Sequence, residues 1–240
     1  MNPNAMYPFG QALMACFNGD TSAELIIRRD DGDVTPLPVS YFFRDSMQFS
    51  AIDQAALDRC TPPVLDVGAG TGLHSLELQQ RGFPVTAIDV NSQAVEIMER
   101  RGVKDARCID IFEFEEKKFN TLLMLGHGLG MVESIAGLER FLEHARYLLP
   151  LQGQILVDSL DVRITDDPAN IEYHDANKKA GRYIGEIRMQ FEFREMCSPY
   201  FGWLHVDQQT LAEHAEKKGL SCKLIRNEKS GEYLAALIKS

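Results

Sequence analysis

Residues 64–72 read Val-Leu-Asp-Val-Gly-Ala-Gly-Thr-Gly, and no other stretch limits the fold of this chain as much. A short apolar run (Val64, Leu65, Val67) leads into Gly68, Gly70 and Gly72, and helical spacing begins at Leu73. A second apolar run over 85–88 ends in Asp89, about twenty residues further on, the spacing of a βαβ unit that grips a nucleoside. Glycines let the backbone turn tightly and approach a ligand closely. The helix start that follows presents N–H groups without intrahelical partners. An acid at the end of the second strand can accept hydrogen bonds from both hydroxyls of a ribose. The order and spacing of Gly68, Gly70 and Asp89 therefore predict an adenosine-containing small ligand.

Two departures from the dinucleotide fingerprint narrow the choice. Its third glycine, needed where helix packs on strand, is replaced by Leu73, and Asp66 stands immediately before the loop. A carboxylate there repels a pyrophosphate but attracts an ammonium, directly or through water. Both departures disfavour NAD, and with it an NAD-linked oxidoreductase. Both favour S-adenosylmethionine, which has no phosphate and carries a sulfonium and an ammonium. A nucleoside-binding protein without catalysis is the remaining alternative.

With those residues in view, the sequence resembles the class I S-adenosylmethionine-dependent methyltransferases. VLDVGAGTG is similar to their first motif and VTAIDVN to their second. Asp110, in the run 106–111, falls where that family contacts the adenine amino group, residues 119–125 resemble the fourth strand, and Gly126-His127-Gly128-Leu129 the loop after it. The resemblance covers residues 60–160 well and 207–240 more loosely. It implies a Rossmann-like, mostly parallel seven-stranded α/β sheet with an antiparallel last strand. It also implies cofactor contacts from Asp66, Gly68, Ala69, Gly70, Asp89, Val90, Asp110 and Ile111. Methyl transfer from a sulfonium is an in-line displacement, in which alignment matters more than any fixed triad.

Outside the motifs, the strand–helix alternation through residue 158 favours a parallel sheet. Residues 5–17 have helical spacing, two strands flank the turn at 30–33, and a helix is expected over 46–59. These form an N-terminal extension, 1–50, capping a core of 51–160 and 207–240. Residues 161–180 are polar and poorly periodic and read as loop. Ile187, Met189, Phe191 and Phe193 then alternate with polar residues, a period-2 pattern that Cys197-Ser198-Pro199 can turn back into a hairpin. The insertion over 161–206 leaves the fifth strand at the end where ligands sit in open α/β sheets. It is expected to act as a substrate lid, with a homodimer interface or plain edge packing as the alternatives.

Five further residues are candidates, four around the acceptor and one for the cofactor. His127, at the end of the fourth strand, is the candidate general base or substrate orienter, since an unperturbed histidine titrates near working pH. Tyr41 precedes the core and, with Trp203 and His205 on the expected hairpin, is a candidate for the substrate pocket. Arg44 is a candidate partner for the methionine carboxylate of the cofactor.

At 240 residues and 45% hydrophobic, the chain can bury one sizeable α/β core with an appendage. The formal charge is −10, and lysines and arginines are scattered without the basic stripe that phosphate neutralisation needs, so nucleic acid is disfavoured as partner and a small-molecule methyl acceptor favoured. Five widely spaced cysteines without a Cys-x-x-Cys point to reduced thiols in a cytoplasmic protein. No histidine spacing suggests a metal, no signal peptide opens the chain, and no apolar run approaches a membrane span.

Overall fold

The computed structural model describes residues 3–240. Its first elements are α1 (Tyr7–Phe17) and the antiparallel pair β1 (Glu24–Arg29) and β2 (Val34–Pro38). The helix expected over 46–59 is interrupted. Ser46–Gln48 forms a separate 3-10 turn, and α2 spans only Ala51–Leu57. The break lies at Ser50, which starts a new helix through a capping box: its hydroxyl accepts the Asp53 N–H at 3.0 Å, and the Asp53 carboxylate accepts the Ser50 N–H at 2.9 Å.

Strands and helices then alternate as β3 (Val64–Val67), α3 (Leu73–Gln80), β4 (Val85–Asp89), α4 (Ser92–Arg101), β5 (Ala106–Cys108), β6 (Thr121–Met124), α5 (Ile135–Leu148) and β7 (Gln154–Leu160). Every residue of β3 and β6 is buried, as strands covered on both faces require. Asn91 caps α4 by accepting the N–H groups of Gln93 and Ala94, a cap worth about 1 kcal/mol, and Gly102 (φ 96°) closes the helix in the left-handed region.

The second half holds α6 (Pro168–Lys179), β8 (Glu186–Phe193), β9 (Met196–Cys197), β10 (Phe201–Leu204), α7 (Gln208–Lys217), β11 (Leu220–Asn227) and β12 (Glu232–Lys239). Seven strands form the main sheet in the order β11-β12-β7-β6-β3-β4-β5, parallel from β7 to β5, with β12 antiparallel to both neighbours. This is the expected Rossmann-like sheet. β3 lies between β4 and β6, where the chain reverses the direction in which it adds strands. A crevice therefore opens beyond the carboxyl ends of β3 and β6.

The stretch 161–180, expected as loop, contains α6. Asp167 caps it by accepting the Ala169 N–H, and Pro168 stands at the first helical turn, where its missing N–H costs nothing. Only Tyr173 and Asn177 of this helix are buried, so no apolar stripe marks it in the sequence. It is held by polar contacts instead. The Tyr173 hydroxyl donates to Asp30 at 2.7 Å, and the Asn177 amide donates to the carbonyls of Ile184 and Glu186.

The period-2 strand is β8, and it pairs with more than β10. On its other edge it joins β1, with Ile27 opposite Phe191, so the N-terminal strands and the inserted strands make one antiparallel sheet in the order β10-β8-β1-β2, with β9 also on β8. Leu13 of α1, Leu25, Phe191, Phe193 and Phe201 share a single apolar cluster beneath it.

Candidate active site

The loop after β3 turns on three left-handed glycines, Gly68, Gly70 and Gly72, with φ of 69°, 58° and 77°. The N–H groups of Gly68 and Ala69 both donate to the Ile88 carbonyl of β4, drawing the loop across the strand ends. Asp89 fixes the rest. Its Oδ2 accepts the Gly70 N–H at 2.9 Å and its Oδ1 the Asn91 N–H at 2.8 Å, while its side chain lines the crevice. Burial pushes its carboxyl above the usual range, against the pull of those two N–H donors. A Cβ placed on Gly70 would meet nothing within 4 Å, so the loop offers bare backbone to whatever occupies the crevice. Asp110, after β5, accepts the Phe112 N–H at 3.0 Å, caps the turn Ile111–Glu113 and also lines the crevice. Ala69, Val90 and Ile111 lie on the same wall.

Asp66 sits differently. It is buried behind the wall, where its Oδ2 accepts the Ser75 hydroxyl at 2.6 Å and burial raises its pKa. The wall itself begins at Val67. Any pull of Asp66 on a ligand ammonium acts through the field or an intervening water.

The crevice is a cavity of about 550 Å³ roofed by the second sheet. Ile27, Ile187, Met189 and Trp203 face it from above, and Met6, Phe9 and Phe42 close the N-terminal side. Two latches hold that side down. The Thr71 hydroxyl donates to the Phe42 carbonyl, and the Asn91 side chain donates to the Met6 carbonyl at 2.6 Å. A lining largely apolar, with a few converging polar groups, is the usual make-up of a small-ligand site.

His127 follows β6 in the left-handed conformation (φ 60°), and both oxygens of the buried Asp158 on β7 accept its N–H, at 3.0 and 3.1 Å. Its Nε2 lies 3.4 Å from Glu232 Oε1 of β12. Its ring meets His205 edge to face, with centroids 5.4 Å apart. The Nδ1 atoms of both histidines are buried without a hydrogen-bond partner, and both residues line the cavity. Burial opposes the charged form of His127, but the Glu232 contact and the Asp158 charge outweigh it and raise the pKa above 6.5. His205 lacks such partners. Burial, then the neighbouring His127, pushes it down to about 3, so it is neutral at physiological pH.

Arg44, expected beside a ligand carboxylate, is engaged within the protein. Its Nη2 lies 3.0 Å from Asp53 Oδ2, its Nη1 donates to the Tyr41 carbonyl at 2.8 Å, and its guanidinium stacks 3.9 Å above the Tyr41 ring. Asp53 Oδ1 in turn lies 2.9 Å from His74 Nε2. Tyr41, Arg44 and His74 line the cavity together. Sequence spacing gives no hint of this cluster, because Asp53 and His74 come from different helices. Asp158 and Glu232 are likewise missed: each reads as an ordinary strand-end acid, and only the adjacency of β7 and β12 brings them to His127.

This strand order, a glycine loop braced by the acid at the end of β4, and a roofed cavity at the carboxyl edge define a class I S-adenosylmethionine-dependent methyltransferase. The profile of the methyltransferase-domain family matches residues 41–223, and the chain belongs to that family. It is 32% identical to an S-adenosylmethionine-dependent methyltransferase from Bacteroides fragilis solved with S-adenosyl-L-homocysteine, with a TM-score of 0.86 covering 100% of this chain and 98% of that one. A methyltransferase from Methanosarcina mazei shares the fold at 17% identity and a TM-score of 0.56, over 73% of this chain and 89% of its own. The CcbJ methyltransferase from Streptomyces caelestis does so at 12% identity and a TM-score of 0.60, over 79% and 89%. No curated protein sequence matches the chain. The cofactor is S-adenosylmethionine, and the reaction is transfer of its methyl group. Among the described residues no helix is long and apolar enough to cross a membrane.

Proposed function

We propose that this methyltransferase acts on a small molecule enclosed between the glycine loop and the second sheet. Gly68, Gly70, Asp89 and Asp110 hold the cofactor, and His127 serves the acceptor. The roofed cavity carries this reading: strand-end acids and bare loop backbone lie at one side, and a histidine pair with an apolar sheet face at the other. Bound S-adenosylmethionine supplies an electrophilic methyl on a sulfonium, a good leaving group. The chain's own residues do the rest. Asp89 accepts hydrogen bonds from ribose hydroxyls while keeping the loop in shape. The apolar roof excludes water, and enclosure aligns the two reactants, which can supply about 7–11 kcal/mol of the barrier. His127 Nδ1 accepts a proton from the acceptor.

A nucleic-acid substrate fits poorly with a net charge of −10 and a mostly apolar lining, and free thiols at Cys16, Cys60, Cys108, Cys197 and Cys222 suit a cytoplasmic protein. The test is release of S-adenosylhomocysteine with metabolite extracts, total RNA, duplex DNA and denatured protein offered separately. Turnover with the metabolite fraction alone is expected. Turnover only with a macromolecular fraction overturns the proposal.

A further inference from the structure

The acceptor end of the cavity has a chemistry of its own. Trp203 and Phe191 present aromatic rings there, and Met131 and Met189 present thioethers, which pack well against another ring. Most fixed charges nearby are matched within the protein; the exposed Asp33 carboxylate, which has Arg29 as a nearby cation, also lines the cavity. Arg29 holds Asp31 through Nε and Nη2 at 2.8 Å and Asn170 through Nη1, and Arg44 holds Asp53, so both guanidiniums already have their charge balanced within the protein. The carboxylates beside the histidines are engaged too, Asp158 by the His127 N–H and Glu232 by its Nε2, which leaves an acceptor ammonium poorly served. What lacks a partner within the protein is the pair of buried Nδ1 atoms of His127 and His205.

From this arrangement we infer that the methyl acceptor is an uncharged aromatic alcohol, a phenol whose ring lies against Trp203 and whose hydroxyl faces His127 and His205. The inference rests on the reading of this cavity as the methyl-transfer site. The proton decides for a phenol over an aliphatic alcohol. The groups facing His127 are Asp158 from β7, Glu232 from β12 and His205 after β10, and together they leave it a base somewhat stronger than free imidazole. A phenol, like tyrosine, ionises near pH ~10, within reach of such a base, whereas an alkyl hydroxyl ionises near that of water, at about 16. In the transfer, the phenolic oxygen forms a bond to the methyl carbon and the bond from that carbon to sulfur breaks. The electron pair stays on sulfur as a neutral thioether, and the phenolic proton passes to His127 Nδ1, because Nε2 faces Glu232.

Trp203 is the chain's single tryptophan, so its emission reports on this end of the cavity without any turnover. The probes share one body and differ in head group: para-phenylphenol, biphenyl carboxylate and para-phenylbenzylamine, with methyl glucosaminide as a non-aromatic amine. The expected result is a saturable change in emission with para-phenylphenol, at least about tenfold tighter than with any of the others. Calorimetry on Gly130→Ala provides an independent variant, because a Cβ there would lie 2.0 Å from Trp203 Cε2 and must displace the indole. That variant is expected to lose para-phenylphenol binding about tenfold while keeping its affinity for S-adenosylhomocysteine. Equal or tighter binding of the carboxylate, the benzylamine or the glucosaminide overturns the inference. So does failure of para-phenylphenol to bind a protein that still binds S-adenosylhomocysteine. If S-adenosylhomocysteine also fails to bind, the reading of the cavity falls with it.

Discussion

Asp89→Asn separates the two roles given to this carboxylate. The aspartate accepts one N–H from Gly70 and one from Asn91 and also faces the cavity. Asparagine keeps the shape but offers a single carbonyl oxygen, so one of the two N–H groups is left against an amide NH₂. Leaving a buried donor unpaired costs about 1–3 kcal/mol. Burial already disfavours the charge of Asp89, and relief of that penalty puts the net loss at the lower end of this range. For a chain of this size each kcal/mol lowers Tm by about 2–4 °C. On the ligand side, a charge-assisted hydrogen bond to a ribose hydroxyl is worth about 1.5–3 kcal/mol, so affinity should fall about ten- to hundredfold. Calorimetry with S-adenosylhomocysteine and thermal melting on the same samples measure both. A lowered Tm with unchanged affinity would make Asp89 a brace for the loop and nothing more. Wild-type values for both would refute the hydrogen-bond reasoning altogether.

Gly70→Val meets no protein atom but fills the space in front of the loop and strains a backbone at φ 58°, at a cost of about 1–2 kcal/mol. It should abolish measurable S-adenosylhomocysteine binding by calorimetry while the circular-dichroism spectrum stays that of the folded protein. His127 is a base only when neutral and its pKa is raised, so turnover should rise with pH through a value above 6.5. Glu232→Gln should move that limb to lower pH, and His127→Asn should cut turnover about 10²–10⁴-fold and remove the limb, as a pH–rate profile would record. Asp53 is held well below the usual carboxylate range, because His74 and Arg44 outweigh the burial that opposes its charge. Its charged form therefore stabilises the fold above pH 3.8, and that contribution disappears as the pH falls below it. Asp53→Ala strands two partners and should cost about 3–5 kcal/mol near neutral pH by urea unfolding, with the gap to wild type narrowing in acid.

The glycine loop and the acid that braces it were legible in the sequence because their physics is local. A loop that must turn left-handed at Gly68, Gly70 and Gly72 needs glycine, and the acid that braces it must end the adjacent parallel strand. Period and capping marked β3, α4, α5 and α7 for the same reason, since each is fixed by residues within a few positions of one another. Helix α6 escaped because it carries almost no apolar stripe. Its anchors, Asp30 and the carbonyls of Ile184 and Glu186, lie outside it. The sequence also named His127, Tyr41, Trp203 and His205, and tertiary structure decided what surrounds them. Pairing of β1 with β8 converted an N-terminal hairpin and a distant insertion into one roof. Pairing of β12 with β7 brought Glu232 and Asp158 to His127, and the approach of α2 to α3 set Asp53 beside His74 as well as Arg44. Contacts between strands and helices far apart in the chain depend on how sheets close and helices dock, and no single stretch of sequence encodes that.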